Sequence, residues 1–174
     1  MKKYKLLITD LDGTLIETLS GDTFPKGIWD MKLKLYVFEA IKNYAPDDIL
    51  IISNQGGIEK GFVDKEMFEY KFDYISSALE DYTNISVYNF YCDNNDKDNI
   101  NRKPNTGMID QYMDYIKFIN DNVDEENKII YDTIMMIGDA SGKEGQFSDS
   151  DKKTAENFGC EYMDVDDFVD KYKG

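Results

Sequence analysis

Short apolar runs recur along the chain at 4–9, 48–52, 86–91 and 133–137, with helically spaced stretches between them near 31–44, 64–80, 107–121 and 151–158. Strand, helix, strand at this spacing implies a parallel sheet, because parallel neighbours need a crossover long enough to hold a helix. Such crossovers are right-handed. A short strand near 160–163 and a helix over 165–172 close the pattern. The predicted fold class is therefore α/β, a Rossmann-like parallel sheet flanked by helices on both faces. A chain of 174 residues suits one domain, spanning 1–174, that buries roughly two-thirds of its unfolded surface.

In a sheet of this kind ligands gather at the carboxyl ends of the strands. The most informative strand end follows Leu6-Leu7-Ile8, where Asp10-Leu11-Asp12-Gly13-Thr14 delivers two carboxylates. Residues two apart in extended chain point the same way, and two such aspartates repel unless a cation or a shared proton lies between them. That points to a bound divalent metal, with one carboxylate as nucleophile and the other carrying a proton. Gly13 permits a sharp turn. The competing reading is an Asp-rich turn after a strand.

Three further strand ends carry polar groups. Ile49-Leu50-Ile51-Ile52 runs into Ser53-Asn54-Gln55, Arg102-Lys103-Pro104 follows the third strand, and Ile134-Met135-Met136-Ile137 runs into Gly138-Asp139. Each has a plain alternative: a strand-end serine, a surface lysine, a helix-capping aspartate.

Charge and composition exclude several classes. The net charge is −15, with 35 acidic against 20 basic residues, and such a surface repels long polyanions. The chain has no histidine, which removes His-based triads and the usual zinc partners; Cys92 and Cys160 are too few and too far apart for a zinc knot and read as reduced structural thiols. Arg102 is the single arginine, beside Lys103, where a planar fork could grip phosphate. Met1-Lys2-Lys3-Tyr4-Lys5 leads straight into the first strand, and no apolar stretch approaches the ~20 residues that span a bilayer. The expectation is a soluble, cytoplasmic protein with no membrane partner.

Asp-x-Asp-Gly-Thr, the Ser53 strand end, Arg102-Lys103-Pro104 and Gly138-Asp139 occur in the order of motifs one to four of the haloacid dehalogenase superfamily, and the chain resembles its phosphohydrolases. The flanking residues resemble one branch, the 3′-phosphatase domain of polynucleotide kinase/phosphatases. They are Ser20-Gly21-Asp22-Thr23-Phe24-Pro25, Ser53-Asn54-Gln55-Gly56-Gly57-Ile58, Lys103-Pro104-Asn105-Thr106-Gly107-Met108, and Gly138-Asp139-Ala140-Ser141-Gly142-Lys143 followed by Phe147-Ser148 and Asp151. The heptose-bisphosphate branch carries a Cys/His zinc loop before motif three, where this chain has only Cys92.

The resemblance implies a β-hairpin flap around Ser20-Gly21-Asp22 with no large cap domain, and hence an open site. It implies a Mg²⁺-dependent phosphomonoesterase acting through an aspartyl-phosphate in nucleic-acid (DNA) repair: Asp10 attacks, Asp12 protonates the leaving oxygen. Gly13, Thr14, Ser53, Asn54, Arg102 and Lys103 hold phosphate, and Asp10, Asp12 (by its carbonyl), Asp139 and Asp151 serve the metal. Asp149 competes with Asp151 for the last role, and capping of the helix at 151–158 is the plain alternative for Asp151. The partners implied are a 3′-phosphorylated DNA or RNA end and a separate 5′-kinase or ligase. Two alternatives remain: a small-molecule phosphatase of the histidinol phosphate or sugar phosphate type, and a catalytically silent phosphate-binding protein. The aromatic residues, Trp29 among them, are expected to serve the core.

Overall fold

The structure, a computed structural model, describes residues 3–174, so Met1 and Lys2, part of the reading against a leader, lie outside the described residues. Five parallel strands form the sheet: β1 (Tyr4–Thr9), β4 (Asp48–Asn54), β5 (Ser86–Cys92), β6 (Tyr131–Gly138) and β7 (Glu161–Asp164), in the order β5-β4-β1-β6-β7. β2 (Ile16–Glu17) and β3 (Lys32–Leu33) make a separate two-stranded antiparallel ribbon. The helices are α1 (Leu35–Tyr44), α2 (Lys65–Thr83), α3 (Gly107–Asp121), α4 (Ser150–Phe158) and α5 (Val165–Tyr172).

Alternation along the strands sorts side chains to opposite faces. Leu7, Ile49, Ile51 and Ile137 pack on one side with Phe38 of α1, Phe68 and Phe72 of α2 and Phe168 of α5. Leu6, Ile8, Leu50, Ile52 and Met136 pack on the other with Met108, Ile109, Tyr112 and Ile116 of α3 and Ala155 of α4. Both faces are covered, which is why these strands read as continuous apolar runs. Each fully buried Ile or Leu stabilises by about 1.5–3 kcal/mol, so the central strands β1 and β4 are rigid supports for whatever their ends carry.

Local chemistry sets the helix ends. Asp64 caps α2 by accepting from the Met67 N–H at 2.9 Å. Gly159 ends α4 in the left-handed region. α1 differs: its N-cap is Lys34, with no capping side-chain bond.

Two expectations need correction. The first long helix begins at Leu35 rather than near 31, because Lys32 and Leu33 pair with Glu17 and Ile16. The flap is likewise no tight hairpin around Ser20-Gly21-Asp22. Its two-residue strands close a loop of residues 18–31, pinned by Asp30, whose carboxylate accepts from the Ser20 N–H and hydroxyl at 2.7 Å each and from the Lys26 N–H at 2.9 Å. The aromatic expectation also fails in this loop: Trp29 and Phe24 are 67% and 73% exposed.

Candidate active site

The carboxyl ends of β1, β4 and β6, with the loops after β5 and β6, converge on one carboxylate cluster. Asp10 follows β1, Asp139 follows β6, and Asp151 lies in the first turn of α4; each offers an oxygen within 4.8 Å of the others. Lys103 reaches in from the loop after β5, its ammonium donating to Asp10 Oδ1 at 2.5 Å and to Asp151 Oδ1 at 2.7 Å. The other Asp151 oxygen accepts from the Ala140 N–H at 3.1 Å. Of these two acids Asp151 is the buried one that joins the cluster, whereas Asp149 is half-buried and pairs with Lys153 at 2.8 Å. No side-chain cap bond starts α4 at Asp149, and the Asp151 carboxylate is spent on Lys103 and Ala140, which suits orienting that lysine.

Electrostatics follow from the crowding. Burial, then Asp151, raises the Asp10 carboxyl well above the carboxylate range, Lys103 opposing them. Burial, then Asp151, likewise lifts Asp139 to about 6. Burial disfavours a charged Lys103, but the opposite charges of Asp10 and Asp151 outweigh it and raise its pKa. Three acids and one lysine leave an excess of negative charge in a low-dielectric pocket. Hard oxygen donors in that arrangement fit a small divalent cation such as Mg²⁺.

The turn after β1 uses most of its own amides. Gly13 donates its N–H to Ile16 O at 2.8 Å and Thr14 to Leu11 O at 3.3 Å, so neither amide is left for phosphate. The Thr14 hydroxyl is buried and lies 3.4 Å from Asp10 Oδ2. Within residues 10–16 the amides without a partner among the described residues are those of Leu11 and Asp12. Gly13 itself is required by its φ of +82° and by Asp139, whose carboxylate occupies the space a Cβ would fill. A Cβ on Gly138 would similarly overlap Asp151.

Ser53, the last residue but one of β4, is buried, its hydroxyl accepting from Gln55 Nε2 at 2.8 Å and so keeping its own proton to donate. The same Gln55 amide donates to Asp12 Oδ2 at 2.6 Å. Asp12 thus stands outside the buried cluster, exposed and braced. Asn54 clasps the Lys103 backbone instead of facing phosphate: its amide donates to Lys103 O at 3.1 Å and its carbonyl accepts from Lys103 N at 2.9 Å. The Lys103-Pro104 bond is cis. Arg102 donates to Asn94 O at 3.1 Å, and no ion pair joins it to the acidic cluster among the described residues.

Sequence reasoning missed two residues. Gln55 was legible only as part of a motif, since a brace between Ser53 and Asp12 depends on its rotamer. Lys34, buried at 8% exposure, donates to Gly13 O at 2.7 Å, and nothing in its local sequence distinguishes it from other lysines.

A parallel sheet whose edge gathers, in this order, an aspartate pair, a strand-end hydroxyl, a loop lysine and a further acidic strand end defines a phosphatase of the haloacid dehalogenase type. The chain belongs to the polynucleotide kinase 3 phosphatase family, whose model it matches over residues 5–169. It is 32% identical to the bifunctional polynucleotide phosphatase/kinase of Schizosaccharomyces pombe over 96% of its length, and 31% identical to a putative bifunctional polynucleotide phosphatase/kinase of Acanthamoeba polyphaga mimivirus over 91%. It spans 38% and 40% of those relatives. A solved D,D-heptose 1,7-bisphosphate phosphatase from B. bronchiseptica, complexed with magnesium and phosphate, shares the fold at TM-score 0.61 and 23% identity, over 91% of this chain and 78% of that one.

Proposed function

We propose that the chain is a Mg²⁺-dependent phosphomonoesterase that removes the 3′-phosphate from nucleic-acid ends, DNA foremost, through an aspartyl-phosphate on Asp10. The observation that carries it is Asp10 held by Lys103 beside Asp139 at an uncapped sheet edge. Asp10 Oδ2, the oxygen not bonded to Lys103, attacks phosphorus in line. Asp12, braced by Gln55, protonates the leaving sugar oxygen and then takes a proton from the water that releases phosphate. The Leu11 and Asp12 N–H groups, the Ser53 hydroxyl and Lys103 meet the equatorial oxygens as charge develops. Asp10, the Asp12 carbonyl and Asp139 would hold the metal, which supplies charge neutralisation at the transferring group.

The substrate reading rests on the family and on the open mouth. No described helix is long and apolar enough to cross a membrane, and the flap leaves Phe24 and Trp29 exposed, faces on which bases of a single-stranded end can stack without sequence preference. The net charge of −15 favours a short end over a long duplex. A sugar-phosphate substrate is the second reading, favoured by the fold shared with the heptose-bisphosphate enzyme.

The test is phosphate release, with Mg²⁺, from 3′-phosphorylated DNA and RNA oligonucleotides, mononucleotides, histidinol phosphate and sugar phosphates. The reading expects the 3′-phosphorylated oligonucleotides to be cleaved most efficiently, with little gain from added length. Much faster cleavage of a sugar phosphate or histidinol phosphate would overturn the nucleic-acid assignment and leave the aspartate chemistry standing.

A further inference from the structure

Lys34 breaks two local rules. A lysine is a poor helix N-cap, and its charge at an N-terminus is opposed by the helix macrodipole. It is also buried, yet no carboxylate lies within ion-pair distance of it among the described residues. Residues that violate local preferences in an otherwise consistent fold concentrate where function demands them.

Its contacts show what it does instead. The backbone N–H of Lys34 donates to Leu15 O at 2.9 Å, and its ammonium to Gly13 O at 2.7 Å. The ring of Tyr36 lies 5.5 Å from the same ammonium. Lys34 follows β3 directly, so one residue ties the base of the flap to both sides of the turn that carries the Leu11 and Asp12 amides. Gly13 is then held from two directions, with Lys34 on its carbonyl and the Asp139 carboxylate against its Cα. The ammonium has three donors and spends one on Gly13. Lys103 is paired directly with two carboxylates, whereas Lys34 acts on the Asp139 carboxyl only from beyond ion-pair distance.

We propose that Lys34 is a positioning residue of the phosphate site: it fixes the Leu11–Leu15 turn so that its unpartnered amides face the phosphate, and it adds the second buried positive charge the dianion meets. This rests on the phosphatase class of the site and is independent of which ester is the substrate. The charge works at short range in a poorly solvated place, where one charge-assisted hydrogen bond carries more than in water.

The experiment compares Lys34→Met, which keeps the length and apolar stem, with Lys34→Arg, which keeps the charge. It measures inorganic phosphate affinity by calorimetry in Mg²⁺ buffer, KM and kcat on a phosphomonoester, and the melting temperature. Lys34→Met should weaken phosphate binding and raise KM by about tenfold or more, the size of one charged hydrogen bond, with a smaller change in kcat and melting within a few degrees of wild type. Lys34→Arg should recover most of the affinity. A Lys34→Met protein that binds phosphate like wild type and only melts lower would make Lys34 a structural strut and overturn the proposal, as would Lys34→Arg binding no better than Lys34→Met. If Lys34→Met does not fold, Lys34→Gln against Lys34→Arg makes the same comparison. A wild type inert on every ester would instead strike the phosphatase reading, while phosphate affinity still decides Lys34.

Discussion

Replacing Asp139 by Asn should stabilise the metal-free protein while removing its response to Mg²⁺. Burial first, and Asp151 second, lifts the Asp139 carboxyl to about 6, against an ordinary carboxylate near ~3.9. A group raised in this way contributes stability that is full below about pH 4 and is lost as pH rises through about 6. At about 1.4 kcal/mol per tenfold change in proton affinity, the ionised acid costs the fold about 3 kcal/mol at neutral pH. Asp139 is only partly buried, and solvent screening reduces this to about 1–3 kcal/mol. An amide of the same shape carries no such cost. For a domain of this size the expected rise in melting temperature is about 3–10 °C in EDTA at pH 8, shrinking toward zero near pH 4. Mg²⁺ should raise the melting temperature of the wild type, since a ligand bound only by the native state stabilises it, and should do so far less in Asp139→Asn. Thermal melts at the two pH values, with EDTA and with Mg²⁺, read all of this. A variant that melts no higher than wild type in EDTA at pH 8, or that keeps the full Mg²⁺ shift, refutes the reasoning.

Three other outcomes follow from single contacts. Gly13→Ala forces a Cβ into the Asp139 carboxylate at a left-handed φ, so denaturant melts should show a loss of about 1–2 kcal/mol and phosphate release should fall at least tenfold. Gln55→Leu removes the brace on Asp12; kcat should fall more on a 3′-phosphorylated end than on p-nitrophenyl phosphate, whose leaving group needs no proton, and equal losses would count against Asp12 as the acid. Burial would raise Asp164, but hydrogen bonds from Ser141, Gln146, the Asp166 N–H and Lys143 outweigh it and hold its carboxyl below the ordinary range. That contribution is full above about pH 4 and is lost as pH falls through the lowered value, so Asp164→Asn should lose stability at neutral pH and show a smaller acid-induced loss than wild type in melts from pH 6 to pH 2.

The strands and helices were legible because burial on both sheet faces writes itself as unbroken apolar runs, and the motif residues because they stand where those runs stop. What escaped depends on tertiary geometry. Lys32 and Leu33 read as helix until they meet Glu17 and Ile16 across the flap. Gly13 and Thr14 look like phosphate ligands in sequence, but the turn consumes both of their amides. Asn54 and Arg102 look like ligands in sequence and act as clamps on the loop around Lys103. Trp29 and Phe24 are core-type residues that the flap leaves outside. Asp149 and Asp151 stay level in the sequence, because the bond that draws Asp151 to Lys103 is tertiary.

Covalent phosphate on Asp10 is the most direct test of the chemistry. A 3′-phosphate-labelled oligonucleotide is mixed with enzyme and Mg²⁺, quenched in acid within the first turnovers, and the protein is digested and mapped. The account predicts label on the peptide bearing Asp10 and nowhere else, with none in Asp10→Asn. Product formed at full rate with no labelled protein, or label on another residue, would contradict it.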